Sequence, residues 1–407
     1  MSLRDLWCHG RCAALLLALS LALWPGAALA HDPSAWGGLF RTRDGGVTWL
    51  AINSGSFVSG AIALAISPAE PNHLLLATDS GVMASRNGGR DWQVEASDVL
   101  VGAAFAVAYD ADGKRALVSG PSAIFLRDEE RWRVISAPAG AAPARAMAGG
   151  SVPARVYLAG WKGVYRSDDW GASWVPINEG LPEEHADAMV ISPGPPEIVH
   201  VVAAGQLWGS LDAGHRWARR QVGPPTGRVE AVTLDASDAP RLWALVSGQL
   251  FRSDDAGVGW RAIGRPLPEA DTLVRGMAVV DQSIHLTTDR GLYRSPDGGE
   301  HWQVPSDGLP AHLEAGPIVR DPQNASTIYV GFAFTPYAEL WRQAAEGKTM
   351  FARLDTGRLA GGAAFLLLVI LSAVAALRRL ASTYYRAPIC TPPGPPAAEA
   401  PGSRNAP

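Results

Sequence analysis

A tryptophan recurs at nearly constant spacing along this chain, and that periodicity constrains the fold more than any other feature. The seven copies are Trp49, Trp92, Trp132, Trp174, Trp217, Trp260 and Trp302. The intervals between them are 43, 40, 42, 43, 43 and 42 residues. Self-similarity at a fixed period of this size indicates a repeat architecture in which each repeat is one supersecondary unit.

Each repeat also carries the signals of short β-strands. Apolar runs such as 61–68, 199–205 and 241–248 are rich in Val, Leu and Ala and end at Pro or Gly. Four such strands in a unit of this length match one blade of a β-propeller. The sequence therefore predicts an all-β fold, a single propeller of four-stranded blades, followed by one transmembrane helix.

The sequence is compatible with seven blades, which is the favoured number, and with eight. The first copy, residues 37–52, supplies only the third and fourth strands of a unit, so it either completes the last blade or begins an eighth. A degenerate copy at 339–351 ends the series. Strand alternation places one residue of each copy in a column on strand three: Phe40, Met83, Phe125, Tyr165, Trp208, Phe251, Tyr293 and Trp341.

The motif before each tryptophan has a structural explanation. Its Asp can accept hydrogen bonds from backbone N–H groups of its own turn, and the following Gly can adopt the positive φ that a tight turn requires. The indole can pack over that turn. We therefore interpret the seven recurring tryptophans, together with the turn aspartates, as structural residues; these aspartates are Asp44, Asp169, Asp212, Asp255 and Asp297.

The pattern S-x-D-x-G-x-x-W resembles the Asp box, or bacterial neuraminidase repeat, most closely in residues 167–174, 253–260 and 295–302. The first copy has Thr42 in place of Ser, the second has Asn87 in place of Asp, and the third lacks the Gly. Sialidases and related glycosidases, sortilin-type receptors and photosystem II stability/assembly factor-like proteins share this repeat. The uniform copies are most similar to the last group. The resemblance implies a propeller but not one activity.

The two ends of the chain predict secretion and a membrane anchor. Residues 1–30 have the pattern of a signal peptide, with an apolar run over 13–24 and small residues at Ala28 and Ala30. Residues 359–377 carry no charge and are long enough to span a bilayer. We predict a propeller ectodomain over 31–357, a transmembrane segment with its basic flank over 358–380, and a disordered cytoplasmic tail over 381–407. The expected location is the cytoplasmic (inner) membrane, with the propeller on the periplasmic side.

Composition removes several classes of function. The three cysteines all fall in the signal peptide or the tail, so the ectodomain has neither disulfide nor thiol chemistry. Residues 31–357 hold 28 Lys and Arg against 37 Asp and Glu, which disfavours nucleic acid as a partner. The histidines are scattered singly and no glycine-rich phosphate loop follows a strand, so we expect no metal and no cofactor.

Two classes of function stay open. A sialidase-like or xyloglucanase-like hydrolase needs paired carboxylates, and a sialidase also needs an arginine triad. Five arginines recur at one repeat position, which favours a structural role in pairing with acidic residues of adjacent blades over ligand binding; they are Arg41, Arg166, Arg252, Arg294 and Arg342. No catalytic residue is identified. The sequence favours a non-enzymatic scaffold that binds a membrane or periplasmic protein, or a glycan. Trp161 and Trp170 are candidate surface aromatics, and packing in the core or between blades is the favoured alternative for each.

Overall fold

The computed structural model describes residues 37–53, 58, 60–182, 185–237, 240–305, 307–310, 312–346, 365, 367–376 and 378. Within these residues the chain forms seven antiparallel sheets, each one blade of a propeller, and a short helix after the last strand. The chain divides into two compact units, Met1–Met350 and Phe351–Pro407, and all seven blades belong to the first.

The blades are numbered in chain order, and each is built outward from its innermost strand. Blade 1 contains β3 (Ala61–Ile66), β4 (Leu74–Thr78), β5 (Gly81–Ser85) and β6 (Gln93–Glu95). Blade 2 contains β7 (Ala106–Tyr109), β8 (Ala116–Ser119), β9 (Ile124–Asp128) and β10 (Arg131–Ile135). Blade 3 contains β11 (Ala146–Gly149), β12 (Val156–Gly160), β13 (Gly163–Ser167) and β14 (Val175–Pro176). Blade 4 contains β15 (Ala186–Ser192), β16 (Ile198–Ala203), β17 (Gln206–Ser210) and β18 (Ala218–Arg220). Blade 5 contains β19 (Val229–Leu234), β20 (Leu242–Val246), β21 (Gln249–Ser253) and β22 (Arg261–Ile263). Blade 6 contains β23 (Val274–Val280), β24 (Ser283–Thr288) and β25 (Gly291–Ser295). Blade 7 contains β26 (Glu314–Arg320), β27 (Ile328–Ala333), β1 (Gly38–Thr42) and β2 (Leu50–Ala51).

Both ends of the propeller sequence meet in blade 7, which closes the ring. Strand β1 pairs with β27 in antiparallel register from Gly38↔Phe332 to Thr42↔Ile328. The innermost strands of successive blades contact one another around the whole ring, including β26 with β3. The favoured prediction of seven blades is therefore confirmed, and the alternative in which residues 37–52 begin an eighth blade is wrong. Closure leaves no open sheet edge between the first and last blades.

The degenerate copy at 339–351 does not form the strand predicted for it. Residues Tyr337–Ala345 form a helix, α1, so Trp341 leaves the strand-three column that the other seven residues occupy. Two physical reasons account for the difference. The segment is rich in Ala, Glu, Leu, Arg and Gln, which favour helix, and β1 already occupies the third-strand position of blade 7.

The core lies between blades, and the recurring tryptophans contribute to it. Indole Nε1 of Trp217 donates to the carbonyl oxygen of Ile177 in the preceding blade at 2.6 Å, and Nε1 of Trp92 does the same to Ile52 at 2.8 Å. Both tryptophans are buried. Each indole therefore joins two blades, whereas the sequence placed it only over its own turn.

The turn between strands three and four has one hydrogen-bonding pattern in several blades. In blade 5 the hydroxyl of Ser253 donates to Asp255 at 2.7 Å and accepts from the backbone N–H of Gly257 at 2.7 Å. Asp255 accepts in turn from the N–H of Gly259 at 2.8 Å. Gly257 has φ of +85°, a conformation that glycine adopts without strain. The side chains of Asp44, Asp169, Asp212 and Asp297 accept equivalent bonds.

Beyond blade 7, residues 365, 367–376 and 378 are helical. Among the described residues, no helix has both the length and the apolar character needed to cross a bilayer. Residues 359–364, 366 and 377 of the predicted span are outside the described set, as are the predicted signal peptide and the tail over 381–407.

Candidate binding site at the channel mouth

All seven innermost strands begin at the same end of the ring, which we call the channel mouth. Because strands alternate in direction, the turns between strands two and three and the loops that enter each blade also lie at this end. The Asp-box turns lie at the opposite end. Among the described residues, helix α1 follows β27 directly at the mouth. Ligand sites are concave, and in β-barrels they often lie at the mouth.

The first turn of α1 is fixed to the mouth by Tyr337. Its buried hydroxyl donates to the carbonyl of Ala61 at 2.6 Å, and its backbone N–H donates to the carboxylate of Glu314 at 2.8 Å. Arg275 binds the same carboxylate at 2.7 Å and lies 5.3 Å from the tyrosine ring. Burial raises the pKa of Tyr337. A side chain at Gly316 would overlap this ring, so the glycine makes room for the helix.

The second turn of α1 contributes Trp341 to a group of aromatic side chains. Its ring lies 4.7 Å from Phe105 between centroids, and the guanidinium of Arg145 lies 5.1 Å from its centroid. The same guanidinium lies 5.6 Å from Trp161. Trp161 stacks on His185 at 5.6 Å with an interplanar angle of 11°. The loops that enter blades 3 and 4, the turn between β12 and β13, and helix α1 therefore meet around Arg145.

The ionisable side chains of this group pair with one another. Asp187 binds Arg145 Nη1 at 3.1 Å and His185 Nε2 at 3.2 Å. A register shift between Ala186 and Ala188 leaves Asp187 unpaired in the β15 ladder, which frees it for these contacts. We call Arg145, Trp161, His185, Asp187 and Trp341 the mouth cluster. It combines an aromatic surface with hydrogen-bond donors and an acceptor, the composition of a recognition site.

The structure separates the two tryptophans that the sequence proposed as surface residues. Trp161 lies in the turn between β12 and β13 and is 41% exposed. Trp170 is 1% exposed, so its proposed place on the surface is wrong. Trp170 adopts a φ of +54°, and its ring packs with Leu117 and Ile135 in the core between blades 2 and 3. Because position 170 is variable within the motif, the motif did not indicate that Trp170 is buried.

The recurring arginines do not converge at the mouth. Arg41 Nη1 donates to the carbonyl of Gly88 at 2.6 Å, and Arg166 Nη1 donates to that of Ala213 at 2.8 Å, each in the Asp-box turn of the next blade. Arg252 pairs with Asp254 of its own turn at 3.1 Å.

Arg294 shares a backbone bridge with Gln303. Arg342 lies on α1 and pairs with Glu339 and Glu346. Arg252 and Arg342 pair with acidic residues of their own turn or helix, so the expected pairing with acidic residues of adjacent blades is wrong for these two. For Arg41 and Arg166 the contact that joins the blades is to a carbonyl oxygen.

Two buried histidines join blades in a way that the sequence did not indicate. His200 Nε2 lies 3.1 Å from the carbonyl of Ala256 in the Asp-box turn of blade 5. His285 packs against Trp49 in blade 7, and Gly46 has no side chain to obstruct it. Burial lowers the pKa of both histidines to about 4. As scattered single histidines they were not singled out, although each is flanked by aliphatic residues in a strand run.

These histidines predict acid sensitivity. Because the pKa of each is lower in the folded state than the unfolded value, stability is full above about pH 6.5 and falls as pH decreases. We expect a loss of up to about 3 kcal/mol per histidine near pH 4. His200→Gln, which keeps an amide donor for Ala256, should flatten the dependence of urea midpoint on pH. An unchanged slope would contradict this account, and exposed His312→Gln is the control.

Among the described residues, no group of three or more His, Cys, Asp or Glu side chains could hold a metal ion. The titratable residues at the mouth instead pair with one another, as Arg145 does with Asp187 and Arg275 with Glu314. The arrangement supports binding through stacking and hydrogen bonds.

Comparison with known proteins gives the fold. No protein-family model and no curated protein sequence matches the chain. The structure of YCF48 from Cyanidioschyzon merolae is similar, with a TM-score of 0.52 and 16% identity over 68% of this chain and 96% of that one. YCF48 bound to a D1 peptide gives 0.51 and 16%, over 68% and 95%. The extracellular domain of the BT4673 two-component system from B. thetaiotaomicron gives 0.55 and 13%, over 68% and 38%. At these identities the likeness shows a shared β-propeller fold and nothing further about activity.

Proposed function

We propose that this protein is a non-enzymatic scaffold that binds another protein at the channel mouth. The observation that carries the proposal is the mouth cluster, where the half-exposed ring of Trp161 lies beside Arg145 and His185. Tryptophan and arginine are enriched among the residues that dominate binding energy at protein interfaces. The similar YCF48 structure that holds a D1 peptide supports a peptide as the kind of ligand.

The membrane anchor is part of the same proposal. The uncharged segment 359–377 and the arginines after it would hold the propeller at the periplasmic face of the inner membrane. Protease added to intact spheroplasts should then digest the propeller and spare an epitope at the C-terminus. Digestion of that epitope without lysis would contradict the orientation.

Capture from solubilised membranes tests the scaffold. The full chain, tagged at its C-terminus, should retain a specific membrane or periplasmic protein. Trp161→Ala should reduce that capture by about tenfold or more, since truncating a central interface tryptophan costs about 2 kcal/mol. Val258→Ala is the control, because Val258 is 65% exposed at the opposite end of the ring. Capture of no specific protein by the unaltered chain would contradict the function.

A membrane-tethered glycoside hydrolase is the alternative, and one observation favours it. Glu230 occupies the same bulge position in β19 that Asp187 occupies in β15, and burial raises its pKa, as a proton donor requires. Its carboxylate accepts from the N–H of Gly248 at 3.2 Å. If the purified chain hydrolyses oligosaccharides and Glu230→Gln abolishes that activity, the hydrolase replaces the scaffold.

A further inference from the structure

The Asp-box turn of blade 1 has the donor and the acceptor of its side-chain pair exchanged. In blade 3 the hydroxyl of Ser173 donates to the carboxylate of Asp169 at 2.6 Å, and blade 7 repeats this contact with a threonine. In blade 1 Asn87 stands at the aspartate position, and its amide Nδ2 donates to the carboxylate of Asp91 at 2.7 Å. The acceptor at position 91 is therefore matched to an asparagine at position 87.

Asn87 is followed by Gly88, and this is the only Asn-Gly pair in the chain. Asparagine is a thermolabile residue, because the next backbone nitrogen can attack the amide carbon of its side chain. Glycine has no side chain to obstruct that attack. Asn87 is half-buried, so solvent has access to this turn. The sequence and the exposure together indicate a site of chemical modification.

The modification replaces an amide by a carboxylate and consumes water. The nitrogen of Gly88 bonds to Cγ of Asn87 and gives up its proton, the bond from Cγ to Nδ2 breaks, and Nδ2 leaves as ammonia. Water then opens the resulting cyclic imide at either of its carbonyl carbons. One product is aspartate at position 87. In the other product, isoaspartate, the main chain runs through Cγ and is longer by a single carbon.

The folded turn restrains the atoms that must react. The N–H of Gly88 donates to the carbonyl of Asn72 at 2.8 Å, and its carbonyl accepts from Arg41 of blade 7 at 2.6 Å. Oδ1 of Asn87 accepts from the N–H of Asp91 at 2.9 Å. The attacking nitrogen is therefore released only when the turn opens locally. Because Arg41 lies on the strand that closes the ring, this opening depends on the junction between blades 7 and 1.

We propose that Asn87 is a site of spontaneous deamidation, that opening of the junction between blades 7 and 1 controls its rate, and that its products weaken this junction. Isoaspartate lengthens the main chain next to Gly88, whose N–H and carbonyl are both bonded to neighbouring groups. Aspartate places a second carboxylate opposite Asp91, where the amide donor stood, and like charges repel. The modification therefore accumulates with time and loosens the ring at one place.

Conversion is followed in the full chain in detergent at mildly alkaline pH, by mass spectrometry of the chymotryptic peptide that contains Asn87. The folded chain should convert at least about tenfold more slowly than the chain in urea, because the turn must open first. Arg41→Ala removes the bond to Gly88 and should raise the rate in the folded chain about tenfold. Arg166→Ala is the matched control, since it removes the same contact between blades 3 and 4 and should leave that rate unchanged.

The effect of the products is measured on the same samples. Converted chains carry an additional negative charge, so ion exchange separates them, and their urea midpoint should be lower than that of unconverted chains. Asn87→Asp should also lower the midpoint. Combining Asn87→Asp with Asp91→Ser recreates the side-chain pair of blade 3 and should restore the midpoint.

Three results would contradict the proposal. The first is no conversion of Asn87 in the folded chain over a period in which the chain in urea converts completely. The second is an equal rate in Arg41→Ala and Arg166→Ala, because the junction between blades 7 and 1 would then not control the reaction. The third is an unchanged urea midpoint of the converted chains, because the products would then leave the junction intact.

Discussion

Replacing Phe40 by alanine should lower the free energy of unfolding by about 3–5 kcal/mol, the range for truncating a fully buried aromatic side chain. Phe40 lies on β1, is fully buried, and packs edge-on against Phe332 of β27 with centroids 5.2 Å apart. Because β1 completes blade 7, the cavity would form at the pairing that closes the ring. Urea unfolding of the full chain in detergent, followed by tryptophan fluorescence, measures the loss.

The control for this prediction lies in the same repeat. Val47 is 62% exposed in the turn after β1, so Val47→Ala should change stability by less than about 0.5 kcal/mol. Weakened closure should also expose the edge of β27 and promote association between chains, which size-exclusion chromatography would detect. Equal stability of the two variants would contradict the assigned contribution of Phe40 to the closure of the ring.

The second large effect is expected at Glu197, a buried carboxylate that joins blades 3 and 4. It accepts hydrogen bonds from the backbone N–H groups of Ser151 and Val152, from the hydroxyl of Tyr157 at 2.7 Å and from Arg155 at 3.1 Å. Burial opposes its ionisation, but these donors outweigh burial and lower the pKa of Glu197. All of its partners are donors, so the site requires a carboxylate.

Glu197→Gln should therefore cost about 3 kcal/mol, because its amide N–H₂ would face other donors in a buried site. The stability that the carboxylate contributes is present above its unfolded pKa and is lost as pH falls through the folded value. The difference between wild type and variant should accordingly shrink in acid. Exposed Glu179→Gln is the matched control. A constant difference at every pH would contradict the assigned role.

The repeat made most of the fold predictable from the sequence. The period of the tryptophans indicated the blade as the unit, and alternation placed seven of the eight strand-three residues correctly. Asp, Gly and Trp act locally, through a turn, a positive φ and an indole packed nearby, so their geometry follows from residues a few positions apart. The eighth position, Trp341, was misplaced because a decayed motif no longer specifies a strand.

The candidate site was less predictable because its members are distant in sequence. Trp161 was identified as a surface aromatic, but Arg145, His185 and Asp187 were not, since nothing in their spacing indicates that they meet. Trp170 was a second candidate surface aromatic with packing between blades as its alternative, and the structure shows the alternative, because a neighbouring blade covers the ring. Residue type indicates what a side chain can do, and only the packing of blades decides which groups it meets.

The sequence by itself determined that the chain is a propeller of repeated four-stranded units, because periodic local signals specify each unit independently of the others. The tertiary structure alone decided that the ring closes at seven blades through β1, that α1 covers part of the channel mouth, and that the mouth cluster forms beside it. Each of these depends on contacts between residues tens to hundreds of positions apart. Tyr337 and Ala61 are joined by one hydrogen bond across 276 positions, and no local pattern encodes such a contact.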